Sequence, residues 1–391
     1  MPGMKKTLFL MVLCCAVFSQ YEVLEISNEF TPTLYSEIAL SGGRCVIGDS
    51  AIYLAGEGAV FIQQKGRPDE NVWLNLDLKH NKYYSIASLL YDNNKLRLFF
   101  RGLDGMYYLC TVDMDGTIVR GPVRKHGKRG HLKKTNDDLL LHAGLYRPLY
   151  ATYLDLYDDE SGPGPTDQSK RMFRELYRSS DAFFLWFYDD SLQRVDSAAV
   201  LPLKGEEAEA YERLYFSTPM DIDASGNVYF IDHIDGYTVK RLDPGTQKID
   251  QFSLWNKNYN PIPIRMNKDE SRALDSKSGS YSRAYALHSD DTHILTSFVQ
   301  NNASRDPNKG PYHIDVMTVS GKQLLTMTSD YPVVSEDSMG RVFFAVLREG
   351  GWFKASELFL VGMTIQDVLN GAAEQKKVDE AINHFKKQHR K

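Results

Sequence analysis

The stretch Pro219-Met-Asp-Ile-Asp-Ala-Ser-Gly-Asn-Val-Tyr-Phe-Ile-Asp232, with Tyr237-Thr-Val-Lys-Arg-Leu-Asp-Pro244 and Lys248 to Leu254 after it, decides how this chain is read. Its apolar residues come in short β-branched and aromatic runs bounded by turn residues, the mark of strands. Between the first two runs stands Asp223-Ala-Ser-Gly226-Asn227, which offers a carboxylate to cap a turn and a glycine for a positive φ. The unit predicts four strands, 219–223, 227–232, 238–243 and 248–254, joined by tight turns.

Working outward, similar units recur. Gly48-Asp49-Ser50 precedes Ala51-Ile-Tyr-Leu54, and Tyr91-Asp-Asn-Asn94 precedes Leu96-Arg-Leu-Phe-Phe100. Thr135-Asn-Asp-Asp138 opens a third unit that ends with Phe183 to Leu201. Ser289-Asp-Asp291 precedes His293-Ile-Leu-Thr296, and Glu336-Asp-Ser-Met-Gly340 precedes Arg341-Val-Phe-Phe344. Many short strands with regular turns mean a sandwich, a barrel or a propeller, and a repeat selects the propeller. The expected fold class is all-β, a six-bladed β-propeller. Six units over residues 31–363 take about 55 residues each, against ~40–50 for compact propeller repeats, so the excess falls in loops.

The pattern P-x-D-I-D-x-x-G-N-V-Y-x-x-D at 219–232, followed by V-x-R-L-D-P at 239–244, resembles a blade of the NHL-type six-bladed propellers, in particular those of secreted bacterial proteins. The likeness is good over this blade, partial over 331–346 and a matter of pattern elsewhere. It implies a shape more than a chemistry, because that fold carries lyases, lactonases and non-catalytic binding scaffolds alike.

Both ends of the chain have a separate reading. Lys5 and Lys6 precede the apolar run Leu8 to Phe18, which reads as a secretory signal peptide over 1–19, too short to span a bilayer. Cys14 and Cys15 invite comparison with a lipoprotein box, but Leu13 and Cys14 stand where that box needs a small residue. The expected location is secreted or periplasmic. The propeller is expected over 20–363, with Tyr21-Glu-Val-Leu-Glu-Ile-Ser27 as the strand that closes the ring against Glu357-Leu-Phe-Leu-Val361. Residues 364–391 read as a helical tail. Thr364 and Asp367 make a capping box, and Val378, Ala381, Ile382 and Phe385 recur at helical spacing.

Composition excludes several classes. With 42% hydrophobic residues and 46 Lys+Arg against 51 Asp+Glu, the chain is neither disordered nor built to coat nucleic acid. Removing 1–19 takes away Lys5 and Lys6 and leaves 44 basic residues against 51 acidic, a charge of −7. Cys45 and Cys110 then remain, without metal-type spacing, and read as buried thiols.

No motif fixes a reaction: G-x-S-x-G, H-E-x-x-H, a phosphate-binding glycine loop and an EF-hand loop are all missing. The long connections, about 143–182, 300–311, 347–356, 120–134 and 255–282, fall between the second and third strands of units or between units. They therefore share one face, the expected binding surface. The segment 120–134 concentrates positive charge, and Arg124, Lys125, Lys128 and Arg129 are its candidates for an anionic glycan, phosphate or lipid headgroup. Asp232 and His233 offer carboxylate and imidazole to a ligand or a divalent cation, and Trp352, with Trp255, Tyr259 and Phe353, offers rings for stacking.

The expected function is thus an exported, monomeric binding propeller for a protein, peptide or anionic glycan, without cofactor. The alternative is a lactonase-like hydrolase or lyase with a divalent metal near the ring axis. Convergent carboxylates and amides on the innermost strands would separate the two, and only Asp221 and Asp223 stand out there.

Overall fold

The computed structural model describes residues 21–27, 43–56, 59–76, 85–102, 107–125, 131–146, 183–200, 218–232, 236–261, 282–300, 311–348 and 356–389, with a few isolated positions besides. The expected signal peptide lies outside them. The described strands form six four-stranded antiparallel sheets. Blade 1 holds β2 (Cys45–Ile47), β3 (Ala51–Ala55), β4 (Ala59–Gln64) and β5 (Asn71–Asn75). Blade 2 holds β6 (Ser85–Asp92), β7 (Lys95–Arg101), β8 (Tyr107–Asp113) and β9 (Ile118–Lys125). In blade 3 are β10 (His131–Lys134), β11 (Leu140–Tyr146), β12 (Phe183–Tyr188) and β13 (Arg194–Val200). Blade 4 has β14 (Met220–Ile222), β15 (Val228–Asp232), β16 (Thr238–Asp243) and β17 (Lys248–Ser253), and blade 5 has β18 (Ser282–Ser289), β19 (His293–Gln300), β20 (Tyr312–Thr318) and β21 (Gln323–Ser329). Blade 6 takes β22 (Val333–Glu336), β23 (Arg341–Arg348) and β24 (Glu357–Thr364), and its fourth strand is β1 (Glu22–Ile26) from the other end of the chain.

The first strands of the blades touch in cyclic order: β2 with β6, β6 with β10, β10 with β14, β14 with β18, β18 with β22, and β22 with β2. That closed circle of inner strands makes the molecule a six-bladed propeller. The closing pair runs antiparallel from Glu22 opposite Gly362 to Ile26 opposite Leu358, so the edge of β24 is covered and Leu24 and Ile26 are buried.

The core is a series of apolar layers between neighbouring sheets. Leu24, Ile26, Ile52, Leu54, Phe61, Phe343 and Leu360 fill the layer between blades 6 and 1. Tyr229, Ile231, Val239, Leu287, Ile294 and Phe298 fill the layer between blades 4 and 5. The layer between blades 5 and 6 extends outward to the two C-terminal helices, α1 (Ile365–Leu369) and α2 (Gln375–His389). Thr364 and Asp367 cap α1 reciprocally as the sequence predicts. Val378, Ala381 and Ile382 are buried on α2, and Phe385 is partly buried against the same layer. Arg348 holds Asp379 at 2.9 Å, and Lys386 pairs with Glu357.

The turns that join the first to the second strand in blades 4 and 6 share one device. Gly226 N–H donates to Asp223 O at 2.9 Å and Asn227 N–H donates to Asp223 Oδ1 at 2.9 Å, with Gly226 at φ +85°. Asp337 and Gly340 repeat this in blade 6, with Gly340 at φ +70°. An L side chain with Cβ would be strained at both glycines, which is why the D-x-x-G pattern recurs in the sequence.

One segment differs from expectation. The stretch 120–134 is not one loop: 120–125 continue the outer strand β9, 131–134 are the inner strand β10, and only 126–130 lie between. Alternation of β9 and β10 is masked by a run of lysine, arginine and histidine, residues that favour loops by composition.

Candidate functional site

The inner strands run from the face of the long connections toward the tight turns, and near that second end four blades aim ionisable side chains into the central channel. Lys133 of β10 reaches Asp221 of β14, with Nζ 2.6 Å from Oδ1, and also pairs with Glu336 Oε1 of β22. Blades 3 and 6 are three places apart in a ring of six, so Lys133 spans the channel. The other oxygen of Asp221 accepts from Ser289 N–H at 2.6 Å and from the Ser289 hydroxyl at 2.9 Å. His288 of β18 brings Nδ1 to 3.2 Å from Glu336 Oε2, without the alignment of a hydrogen bond. Asp337, next along, is occupied by the Arg341 guanidinium at 2.6–2.8 Å and by the N–H groups of its own turn.

A cavity of about 220 Å³ lies along this cluster. Its lining includes His131, Lys133, His288 and Glu336 together with Val46, Leu89, Leu90, Met220 and Ala286. Lys133, Asp221 and His288 stand two residues before Thr135, Asp223 and Asp290, the residues that open their turns, and Glu336 stands one before Asp337. Val46 and Leu90 hold the corresponding places in blades 1 and 2. The channel is polar on four blades and apolar on two.

Electrostatics ties the cluster together. Burial pulls the Lys133 ammonium down, but Asp221 and Glu336 outweigh it and hold it above the usual lysine range. Burial and the Glu336 charge push Asp221 up to about 6, with Lys133 opposing. Burial would raise Glu336 too, yet Lys133 and His288 hold it below the usual carboxylate range. One ammonium serves two carboxylates, and the carboxylates titrate as a pair. Burial, with Lys133 and His288 beside it, pulls His131 down to about 3 and keeps it neutral. His131 Nε2 and both ring nitrogens of His288 are buried and have no hydrogen-bond partner within the protein.

Asp221, His288 and Glu336 are the group among the described residues that could hold a metal ion, with one ligand atom of each within 4.8 Å of the others. The donor set does not fit well as it stands. Lys133 already lies against both carboxylates, Asp221 is used up by three donors, and three protein ligands with an ammonium beside them fall short of what Ca²⁺ or Mg²⁺ requires.

Of the residues singled out in the sequence, Asp221 belongs to this cluster, and Asp223, Asp232, Trp255 and Tyr259 do not. Arg124 and Lys125 are on the outer strand β9, paired in register with Tyr108 and Tyr107. Lys128, Arg129, His233, Trp352 and Phe353 lie outside the described residues. Asp232 ends β15 and is buried, its carboxylate 2.5 Å from Lys240 Nζ. Tyr259 stacks on Tyr237 at 4.3 Å in the layer between blades 4 and 5, whereas Trp255 is 75% exposed. Asp223 belongs to its turn, accepting from Asn227 and Tyr229. Cys45 and Cys110 are both buried free thiols.

The innermost strands carry one carboxylate more than the sequence singles out, Glu336, with Lys133 and His288 beside it. The sequence alone reads Lys133 as loop and Glu336 as turn. Aligning the units on the residue that opens each turn brings all four into neighbouring columns, a signal the sequence does contain.

No protein-family model matches the chain, and no curated protein matches it in sequence. The likeness of residues 219–244 to an NHL-type blade therefore stays a resemblance. Among solved structures, the chain is similar to puromycin hydrolase, with a TM-score of 0.41 at 12% identity over 79% of this chain. It spans 41% of the length of that protein. A TolB-like protein from Agrobacterium tumefaciens gives a TM-score of 0.41 at 10% identity, over 88% of this chain and 98% of the other. A protein of unknown function from Dyadobacter fermentans gives 0.44 at 10% identity, over 88% and 99%. The six-bladed assignment rests on the sheets and the ring of inner strands. No helix among the described residues is long and apolar enough to cross a membrane.

Proposed function

We propose that this chain is an exported, NHL-like propeller that binds a small ligand in its central channel. The observation that carries the reading is the cavity itself, where His131 and His288 present buried nitrogens without partners beside a closed ion cluster. A buried polar atom left unpaired costs about 1–3 kcal/mol, and a bound ligand that supplies the partner recovers part of that cost. Export rests on the reading of residues 1–19, and the long connections then serve as the approach to the channel or as a second surface for a protein, peptide or anionic glycan.

The test is a small-molecule screen by thermal shift on the wild type and on Ala286→Trp, which fills the cavity. Ligands that stabilise the wild type and not the variant support the reading. Ligands that stabilise both equally place the binding elsewhere.

The second reading, a hydrolase or lyase with a divalent cation, draws on the spacing of Asp221, His288 and Glu336. It requires Lys133 to leave the carboxylates. Metal analysis of the purified protein decides it: one tightly held divalent ion per chain establishes that reading, and no retained metal removes it.

A further inference from the structure

The side chains that fall short of a calcium or magnesium site have the number and kind of donors that Zn²⁺ takes. A zinc ion accepts three protein ligands, nitrogen or oxygen, and a water in a tetrahedron. Asp221, His288 and Glu336 offer two oxygens and one nitrogen from three consecutive inner strands, β14, β18 and β22, with one ligand atom of each within 4.8 Å of the others. At zinc–ligand distances of about 2.0–2.1 Å, two donors on one tetrahedral ion stand about 3.3 Å apart. His288 Nδ1 and Glu336 Oε2 are 3.2 Å apart, and no hydrogen bond joins them. Ser289 donates to Asp221 Oδ2 through its N–H at 2.6 Å and its hydroxyl at 2.9 Å, which fixes that carboxylate with Oδ1 turned to Lys133. Ligating carboxylates have outer support of this kind.

The chain supplies its own cation to this place. Lys133 Nζ lies 2.6 Å from Asp221 Oδ1 and pairs with Glu336 Oε1 as well. It arrives from a fourth strand, β10, so it can be removed without touching the three strands that carry the donors. We infer that Lys133 and Zn²⁺ are alternative occupants of one site on the ring axis: the ammonium fills it in the wild type, and the ion takes it, on Asp221, His288 and Glu336, once the ammonium is gone. Two carboxylates balance a divalent ion with His288 neutral, and any proton on that imidazole leaves as zinc binds. The inference needs neither a ligand in the cavity nor a reaction. It shares three side chains with the hydrolase reading and makes the opposite statement about the wild type, which holds no zinc tightly.

The probe is Zn²⁺ alone, titrated by calorimetry at pH 7.5 into chelator-treated wild type, Lys133→Ala and the double variant Lys133→Ala, Glu336→Gln, with melting curves recorded in its presence and absence. Lys133→Ala is expected to take one ion per chain about a hundredfold more tightly than the wild type, whose ammonium repels the ion at close range. Its melting temperature should rise with added Zn²⁺, while that of the wild type stays where it is. The double variant should lose about tenfold or more of that affinity, and Mg²⁺ should not replace Zn²⁺. Equal affinity in wild type and Lys133→Ala overturns the inference, as does binding that Glu336→Gln leaves unchanged. Should Lys133→Ala not fold without metal, folding restored by Zn²⁺ and not by Mg²⁺ supports the exchange, and no restoration overturns it. Tight uptake of one Zn²⁺ by the wild type, lost on Glu336→Gln, also overturns it and favours the hydrolase reading.

Discussion

Replacing Lys133 by methionine keeps the apolar stem and deletes the ammonium alone. In the folded protein Asp221 and Glu336 then face one another with no cation between them. Removing one partner of a buried pair costs about 3–5 kcal/mol, and because the Lys133 side chain keeps 25% exposure, the lower figure is expected at pH 7.5. The loss depends on pH with a definite sign. Burial and the neighbouring charge keep a proton on one of the two carboxyls well above the ordinary carboxylate range. The folded variant therefore carries one proton more than the unfolded chain, and its stability falls by about 1.4 kcal/mol per pH unit. In the wild type Asp221 is raised only to about 6; the stability that goes with its proton is lost as pH rises through that value, and the curve is level above it. Between pH 6.5 and 8 the variant loses up to about 2 kcal/mol that the wild type keeps. Urea unfolding followed by tryptophan fluorescence, repeated across that range, reads both quantities. Adding Asp221→Asn should level the slope. A cost below about 1 kcal/mol at pH 7.5, or one that does not vary with pH, refutes the ion cluster as drawn.

Ring closure by β1 gives a second test: Ile26→Ala should cost about 2–5 kcal/mol, and deletion of 21–27 should lower the melting temperature or cause aggregation. An unchanged melt on deletion means that the ring does not depend on that strand. Burial pushes both Cys45 and Cys110 up to about 12, so neither should react with a thiol reagent at pH 8 until urea unfolds the chain; prompt labelling of either in the native protein contradicts its placement. Changing Arg124, Lys125, Lys128 and Arg129 together to serine should weaken the binding of sulfated or uronate glycans at low salt and flatten its salt dependence. Equal retention of those glycans by wild type and variant removes the basic stretch as a ligand surface.

Where side chains alternate and turns carry Asp and Gly, the fold was legible in the residues. The predicted strands 219–223, 227–232, 238–243 and 248–254 agree with β14 to β17 within one residue at each end, and the closing strand at 21–27 and the burial of Val378, Ala381 and Ile382 follow from the same periodicity. The inner strand of blade 3 was not legible, because His131-Leu-Lys-Lys134 looks like solvated loop until its neighbours are known. Lys133 is paired with Asp221 and Glu336 on strands 88 and 203 residues away, and no local pattern carries that. Local chemistry therefore points to the loops, whereas a ring of inner strands gathers side chains from separate blades on its axis. Asp232 shows the converse. Its neighbour His233 gave it the look of a ligand, and the fold spends its carboxylate on Lys240.

The central claim is that the ligand sits on the ring axis. A structure of the protein with a bound ligand from the screen tests it most directly. The account predicts density between His131, His288 and Glu336, with Lys133 still paired to Asp221. A ligand bound instead among the long connections, with the channel side chains unmoved and no density along the axis, would contradict it.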